Sequence, residues 1–386
     1  MRALSETAIL ADSFLGGWMS QLTPLLTNQT LLDLSLPGTH DTMTYDLSTT
    51  VSDGGLDDLP GLAAILHDLG PSIKDVGAWI RKQAVTQNLS ITQQLDNGIR
   101  FLDFRVMLTG GKWRALHCVQ SNGLAIDYLT EVKKWMDAHP GEMVVIWLSK
   151  HGNTCAKGND QFPGVKVEDK QAFWTEIETL FGSLLVTNDN PVNTTPVKTL
   201  LAKDQRVVIY ASDYAEFTNS SPAAIDGCLI DNELKADASN QTQAMADEAA
   251  TFQGAVAHIA ENKKQNKFFL MSLASGPPGT VMADQAKLNF LNYPLVNVTA
   301  TRTQCAAAFN IPSFTEAPFC PPTLVEIAQI NNFYKQLSLD AAIEKGWGMP
   351  NAFYVNAVDA GGLLRVGTRP LSAAEGDVTC DVFKYT

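Results

Sequence analysis

What most constrains this chain is an alternation. Short apolar runs rich in β-branched residues recur along it, separated by longer segments of helical period. The runs are "LLDLSL" (31–36), "RFLDFRVML" (100–108), "WRALHCV" (113–119), "MVVIWLSK" (143–150), "RVVIYAS" (206–212), "KFFLMSLA" (267–274) and "AFYVNAV" (352–358). A continuous apolar run ending in polar residues is the pattern of a parallel strand buried on both faces. Between them lie helix candidates. "IDYLTEVKKWMDAHPGE" spaces Ile126, Leu129, Val132 and Met136 along one face and stops at Pro140. "DKQAFWTEIETLFGSLL" repeats the pattern with Phe173, Ile177 and Phe181. "SNQTQAMADEAATFQGAVAHIAENKK" is long and Ala-rich, and "PTLVEIAQINNFYKQLSLDAAIEKG" ends at Gly346, a candidate C-terminal cap. Strands alternating with helices predict an α/β fold built on a parallel sheet. No Ser/Pro/Gly tract divides the chain and no internal repeat is found, so one barrel-like domain over 1–386 is expected. The stretch 53–71, "DGGLDDLPGLAAILHDLGP", reads as a lid or rim loop after the first strand.

Charge excludes one class of partner. The formal net charge is −13, whereas binding nucleic acid demands a basic surface. It also opposes tight electrostatic docking on anionic lipid. No apolar run approaches the roughly 18 residues of a membrane span, so no transmembrane segment is expected. The first residues, "MRALSETAILADSF", lack an apolar signal core. Secretion is nonetheless the expectation. Six cysteines form an even set without zinc-type spacing, and Asn-x-Ser/Thr sequons stand at Asn28, Asn88, Asn193, Asn219, Asn240 and Asn297. Cys305 with Cys320 is the first pair to guess for a disulfide.

The chemistry gathers at strand ends. His40 and Asp41 follow the first run in "LSLPGTHDTMTYD", straight after a Pro-Gly pair that reads as a turn. Asp103 and Arg105 lie two apart in "FLDFRV", so an extended strand points both to one face. His117 closes "WRALHCV". In a barrel, residues at C-terminal strand ends converge on one pocket. Two imidazoles, a guanidinium and two carboxylates around one point suit phosphodiester cleavage. One His takes a proton from the attacking hydroxyl and one returns a proton to the leaving alkoxide, each worth about 10²–10⁴-fold. Arg forks onto phosphate oxygens, and carboxylates steady the imidazolium. Taken singly each residue is weak evidence, since Arg105 and Asp103 could equally be an ion pair plugging a barrel.

"LSLPGTHDTMTYD", "ITQQLDNGIRFLDFRVML" and "ALHC…LTEVKKWMDAHPGEMVVIWLS" together resemble the X-domain of phosphatidylinositol-specific phospholipase C, nearest its bacterial members and the eukaryotic X-domain-only relatives. The resemblance is strongest over residues 16–150. It implies a distorted TIM (β/α) barrel of the PLC-like phosphodiesterase type. His40 would then be the general base on the inositol hydroxyl, and His117 the general acid to the diacylglycerol oxygen. Arg105 would bind phosphate, Asp41 would assist the leaving-group side, and Asp103 would orient Arg105. Asp359 is the candidate for the family's carboxylate that orients the base. On the fourth strand His151, then Lys150, would contact substrate. The head-group candidates are Tyr210, Ser212, Asp213, Tyr214 and Ser272, which do not reproduce a cationic inositol pocket.

Calcium-dependent relatives carry Asn at the place of Asp41 and a carboxylate at the place of Arg105. A guanidinium there supplies the cation's electrostatics, so no metal and no cofactor are expected. The implied reaction is internal attack on phosphatidylinositol or a related glycolipid, giving an inositol cyclic phosphate and diacylglycerol. The implied partner is a phospholipid or glycophospholipid met in transient membrane-surface contact, and a monomer is expected. Two alternatives stay open, the same acid/base chemistry on another head group and a non-catalytic secreted binding barrel. Phe14, Trp18 and Met19, with "ILHDL", are candidates for an apolar rim, although Trp18 reads more simply as barrel packing. His67, His139 and His258 need no chemistry.

Overall fold

The computed structural model describes residues 15–52, 76–150, 161–231, 259–274 and 349–359, with Gly55, Val325, Ala328 and Glu344. Its strands in chain order are β1 (Leu36–Thr39), β2 (Leu47–Val51), β3 (Phe101–Thr109), β4 (Lys112–His117) and β5 (Val119–Ser121). There follow β6 (Val144–Ser149), β7 (Val207–Ala211), β8 (Ile225–Asp226), β9 (Ile230–Asp231), β10 (Phe268–Ser272) and β11 (Ala352–Val355). The helices are α1 (Trp18–Leu22), α2 (Val76–Ala84), α3 (Ile91–Asp96), α4 (Ala125–Ala138), α5 (Val167–Phe181), α6 (Val197–Ala202) and α7 (Tyr214–Thr218).

Parallel pairing runs β9-β10-β11-β1-β3-β6-β7-β8, a curled sheet of distorted (β/α)-barrel type. Its two faces sort by residue parity. Leu102, Phe104, Val144, Ile146, Leu148, Val207 and Ile209 form one cluster with helix residues Leu129, Val132, Phe173 and Ile177. Their neighbours Phe101, Val145, Trp147, Val208, Tyr210, Phe268, Leu270, Ala352 and Tyr354 fill the barrel interior. A strand apolar on both faces can be stable only between such layers. Each fully buried large side chain here contributes on the order of 1.5–3 kcal/mol.

The first strand differs from expectation. Residues 31–33 form a 3₁₀ turn because Asp33 accepts from both the backbone and the hydroxyl of Thr30 at 2.9 and 2.8 Å. The strand starts at Leu36, so Pro37 and Gly38 lie within β1 and make no turn. Glycine is required there: a Cβ on Gly38 would stand 2.8 Å from the Phe353 carbonyl and 3.1 Å from the Phe101 side chain. β4 also differs. It runs antiparallel to β3, the two forming a hairpin that extends β3 beyond the sheet, and β5 and β2 follow antiparallel.

Opposite the strand C-termini, Arg100 is fully buried. Its Nη2 lies 2.6 Å from Glu142 and its guanidinium packs over Trp18 and Trp135. Glu142 in turn accepts from the hydroxyl and backbone N–H of Ser20, which ties α1 to the barrel. Trp18 and Met19 are buried there, not on a rim, with the Trp18 indole donating to the Gly98 carbonyl at 2.9 Å. Phe14, the Cys305–Cys320 pair and the 53–71 excursion except Gly55 lie outside the described residues, as does most of the helices expected over 239–264 and 322–346.

Candidate active site

The inward parity that packs the barrel with apolar side chains turns polar at one end. On β6 the inward series runs Val145, Trp147, Ser149; on β7 it runs Val208, Tyr210 and then Ser212 just past the strand. β10 ends Phe268, Leu270, Ser272, and β11 runs Ala352, Tyr354 and then Asn356. β3 turns polar earliest, with Asp103 and Arg105 after Phe101, and β1 delivers His40 after Leu36 and Gly38. Alternation along each strand thus lifts a polar ring above an apolar plug.

Within that ring, five side chains meet. Arg105 Nη2 lies 3.0 Å from His40 Nε2, and Arg105 Nε is 2.8 Å from Asp41 Oδ1. Asp103 receives the same guanidinium at 3.0 Å and accepts the Asp41 backbone N–H at 3.1 Å. Asp41 Oδ2 stands 3.4 Å from Nδ1 of His40 and 3.6 Å from Nδ1 of His117. The two imidazole centroids are 6.4 Å apart. Asp41 adopts φ 47, which turns its carboxylate back between the histidines.

His117 reaches this point by a route that differs from the expected one. It closes the returning arm of the β3–β4 hairpin, where Val106 faces Ala115, so two residues further on it comes level with the Arg105 region of β3. Its Nδ1–H donates to the Ala84 carbonyl at 2.5 Å.

Arginine can only donate, so its contact makes His40 Nε2 the acceptor and puts the His40 proton on Nδ1. That Nδ1–H donates to Asn356 Oδ1 at 2.8 Å, and the ring stacks on Tyr354 with centroids 4.9 Å apart. Burial, with Arg105 and His117 adding to it, outweighs Asp41 and Asp103 and holds the His40 imidazole below its usual range. Burial would raise the Asp41 carboxyl, but Arg105, His40 and His117 outweigh it and bring it down to about 2. No directed hydrogen bond reaches the Asp41 carboxylate among the described residues, so ion pairing alone meets its charge. The Arg105 guanidinium is held charged: Asp103 and Asp41 outweigh burial. One donor atom each from His40, Asp41 and Asp103 lie within 4.8 Å of one another, as metal ligands would, but Arg105 stands on both carboxylates.

Asp359 is not the residue on His40. It is exposed and accepts from Asn88 at 3.3 Å, while Asn356 takes the orienting position. Sequence reasoning missed Asn356, although it shares the inward parity of Tyr354. It also missed Gln87, which donates to the carbonyls of His40 and Val355 at 2.9 and 2.7 Å and so straps β1 to β11. Tyr210 lies in the apolar plug against Phe268, below the polar ring, where burial raises its phenol. Asp213 is paired with the buried Lys170 at 3.4 Å. Ser272 belongs to the inward series, Lys150 is buried beside Ser149, Tyr214 donates to the Ser221 carbonyl, and His151 lies outside the described residues.

Residues 76–228 match the sequence model of the PI-PLC X family, described as PI-PLC X 1. Arg105 and His117 fall inside that span, His40 and Asp41 before it, and the match continues past residue 150, the end of the stretch over which the motif resemblance is strongest. The chain is 33% identical over 206 residues to PI-PLC X domain-containing protein 1 of Mus musculus, covering 51% of this chain and 53% of that protein. The Homo sapiens protein of the same description is 32% identical over 203 residues, covering 51% and 56%. The chain thus spans about half the length of these curated relatives. A double mutant of the phosphatidylinositol-specific phospholipase C from Staphylococcus aureus superposes with TM-score 0.52 at 13% identity, covering 90% of this chain and 92% of that chain. That likeness establishes the PLC-type barrel, and the sequence matches support the X-domain family.

Proposed function

We propose, on the premise that this chain is of the PI-PLC X-domain family, that it is a metal-independent phosphodiesterase. It cleaves phosphatidylinositol or a related inositol glycolipid by internal attack. The observation that carries this reading is the Arg105–His40 contact at 3.0 Å, with Asp41 shared between both imidazoles. A neutral imidazole whose Nε2 lone pair is covered by the Arg105 N–H is a base in waiting. When a phosphodiester arrives, the guanidinium turns to its non-bridging oxygens and uncovers Nε2. His40 then takes the proton of the neighbouring hydroxyl, and that oxygen forms a bond to phosphorus. The bond from phosphorus to the diacylglycerol oxygen breaks, and protonated His117 supplies the proton that oxygen needs. Asp41 stabilises the imidazolium that forms on either side, without itself taking a proton. The products are the cyclic phosphate and diacylglycerol.

Of the four sequon asparagines among the described residues, Asn28, Asn88 and Asn219 are exposed and Asn193 is half-buried, which supports an extracytoplasmic glycoprotein. No helix among the described residues is long and apolar enough to cross a membrane. The deciding experiment is phosphorus NMR of the full chain with phosphatidylinositol micelles and EDTA. A cyclic phosphodiester resonance supports the reading. An intact substrate, with other phosphodiesters intact too, leaves a binding barrel in its place.

A further inference from the structure

The β1–β11 ladder pairs residues up to Thr39 and Val355. His40 and Asn356 are the next residues on the two strands, so both stand one step beyond the last pair. Ala357 then turns the chain away at φ 44, and no continuing strand holds Asn356 from behind. One buried side chain spans this gap. Gln87 is 0% exposed, in the loop between α2 and α3. Its Nε2 donates to the carbonyls of His40 at 2.9 Å and Val355 at 2.7 Å, and its Oε1 accepts the Val358 N–H at 3.2 Å. The Thr86 carbonyl accepts the Ala357 N–H at 2.5 Å, which ties the same loop to the residue between.

Polar satisfaction alone does not account for this amide. The His40 carbonyl also accepts from the Thr86 hydroxyl at 2.9 Å, and the Val355 carbonyl from the His40 N–H at 3.0 Å. Both oxygens would stay paired without Gln87, whose own burial costs the desolvation of an amide. What the side chain adds is a spacing. A planar amide with both N–H groups and its oxygen engaged cannot shift without losing a bond. The backbone on one side of it carries the imidazole, and the backbone on the other carries the oxygen that takes the imidazole proton.

We propose that Gln87 is a positioning residue for the general base. By holding the His40 carbonyl against the backbone on both sides of Asn356, it keeps Nδ1 within reach of Oδ1 and so keeps the proton off Nε2. Its effect on rate rests on the phosphodiesterase reading, and its effect on the tautomer does not. An imidazole takes the tautomer that its partners select. If the ends of β1 and β11 part, Nδ1 loses its acceptor and the proton passes through solvent to Nε2. A protonated Nε2 can accept nothing from a hydroxyl. Gln87 therefore acts through His40, from behind the ring.

The test uses the full chain with nitrogen-15 in its histidines, and His40→Ala assigns the ring. Gln87→Met keeps the length of the side chain and removes all three of its bonds. Gln87→Asn keeps the amide one carbon short of its partners, and serves if the first variant does not fold. At pH 7 the unaltered ring should carry its proton on Nδ1, and each variant should show the Nε2–H form. A proton on Nε2 in the unaltered chain overturns the proposal, as does a variant spectrum identical to the unaltered one. Turnover is read on phosphatidylinositol and on 2-hydroxypropyl 4-nitrophenyl phosphate, both of which need a hydroxyl deprotonated. In the variants kcat should fall about 10²-fold on the two alike, with KM little changed. A loss confined to KM, or to the lipid, overturns the positioning role. If the unaltered chain turns over neither substrate, the phosphodiesterase reading fails and the ring spectra alone judge Gln87.

Discussion

Nδ1 of His40 donates to Oδ1 of Asn356 at 2.8 Å, joining residues 316 positions apart in the chain. An amide in this place fixes the tautomer and brings no charge. It therefore does nothing to offset burial, which with Arg105 and His117 holds the imidazole below its usual value of 6.5 and neutral at pH 7.

Asn356→Asp should reverse that balance. A carboxylate at 2.8 Å favours the imidazolium and raises the His40 pKa. A base must be neutral to act, so the acid limb of kcat/KM moves to higher pH by the same amount. In the unaltered protein the unfolded chain binds the His40 proton more readily than the folded one. Stability should therefore fall as pH drops below 6.5, and the substitution should soften that fall. An acid limb that stays in place would exclude His40 as the titrating base.

His117→Ala should distinguish leaving groups. With a diacylglycerol alkoxide the missing proton costs about 10²–10⁴ in kcat/KM, and with an activated nitrophenolate far less. Equal losses on both would contradict the acid role.

Excess EDTA should leave turnover unchanged, because Arg105 lies 2.8 and 3.0 Å from the two carboxylates a cation would need. Calcium added to the apo site would have to displace a guanidinium held by two ion pairs. Activity lost on chelation and restored by calcium would overturn the assignment, as would a calorimetric signal for a bound divalent cation.

At the other end of the barrel, Arg100→Ala should destabilise the protein by about 3–5 kcal/mol, since it leaves Glu142 buried and uncompensated. Glu142→Gln keeps hydrogen-bonding groups toward Ser20 and Arg100 but strands the cation, so it should cost a similar amount. Urea unfolding checks both. A loss under about 1 kcal/mol for either would show that the pair is dispensable.

Much of the site could be read from local pattern. The two-residue spacing of Asp103 and Arg105 carries them to one face of any strand, and the apolar runs at 100–108, 143–150, 206–212, 267–274 and 352–358 hold strands buried on both sides. His40 next to Asp41 at the end of β1, and His117 at the end of a run, needed only strand boundaries to be placed. What failed depended on the path of the backbone between strands. Asp359 has the right chemistry, but the chain leaves β11 through Ala357 at φ 44 and carries it out to Asn88, while Asn356 stays on the inward parity. His117 reaches the site because β4 folds back on β3, a pairing that no local periodicity encodes. Tyr210 and Ser212 differ only in height along β7, yet one packs in the plug and the other joins the polar ring. Residue type and spacing settle which face a side chain takes, because the strand repeat is local. Which strands are neighbours, how far each one rises and where the chain turns after it depend on contacts between residues distant in sequence, and those choose the partners of His40.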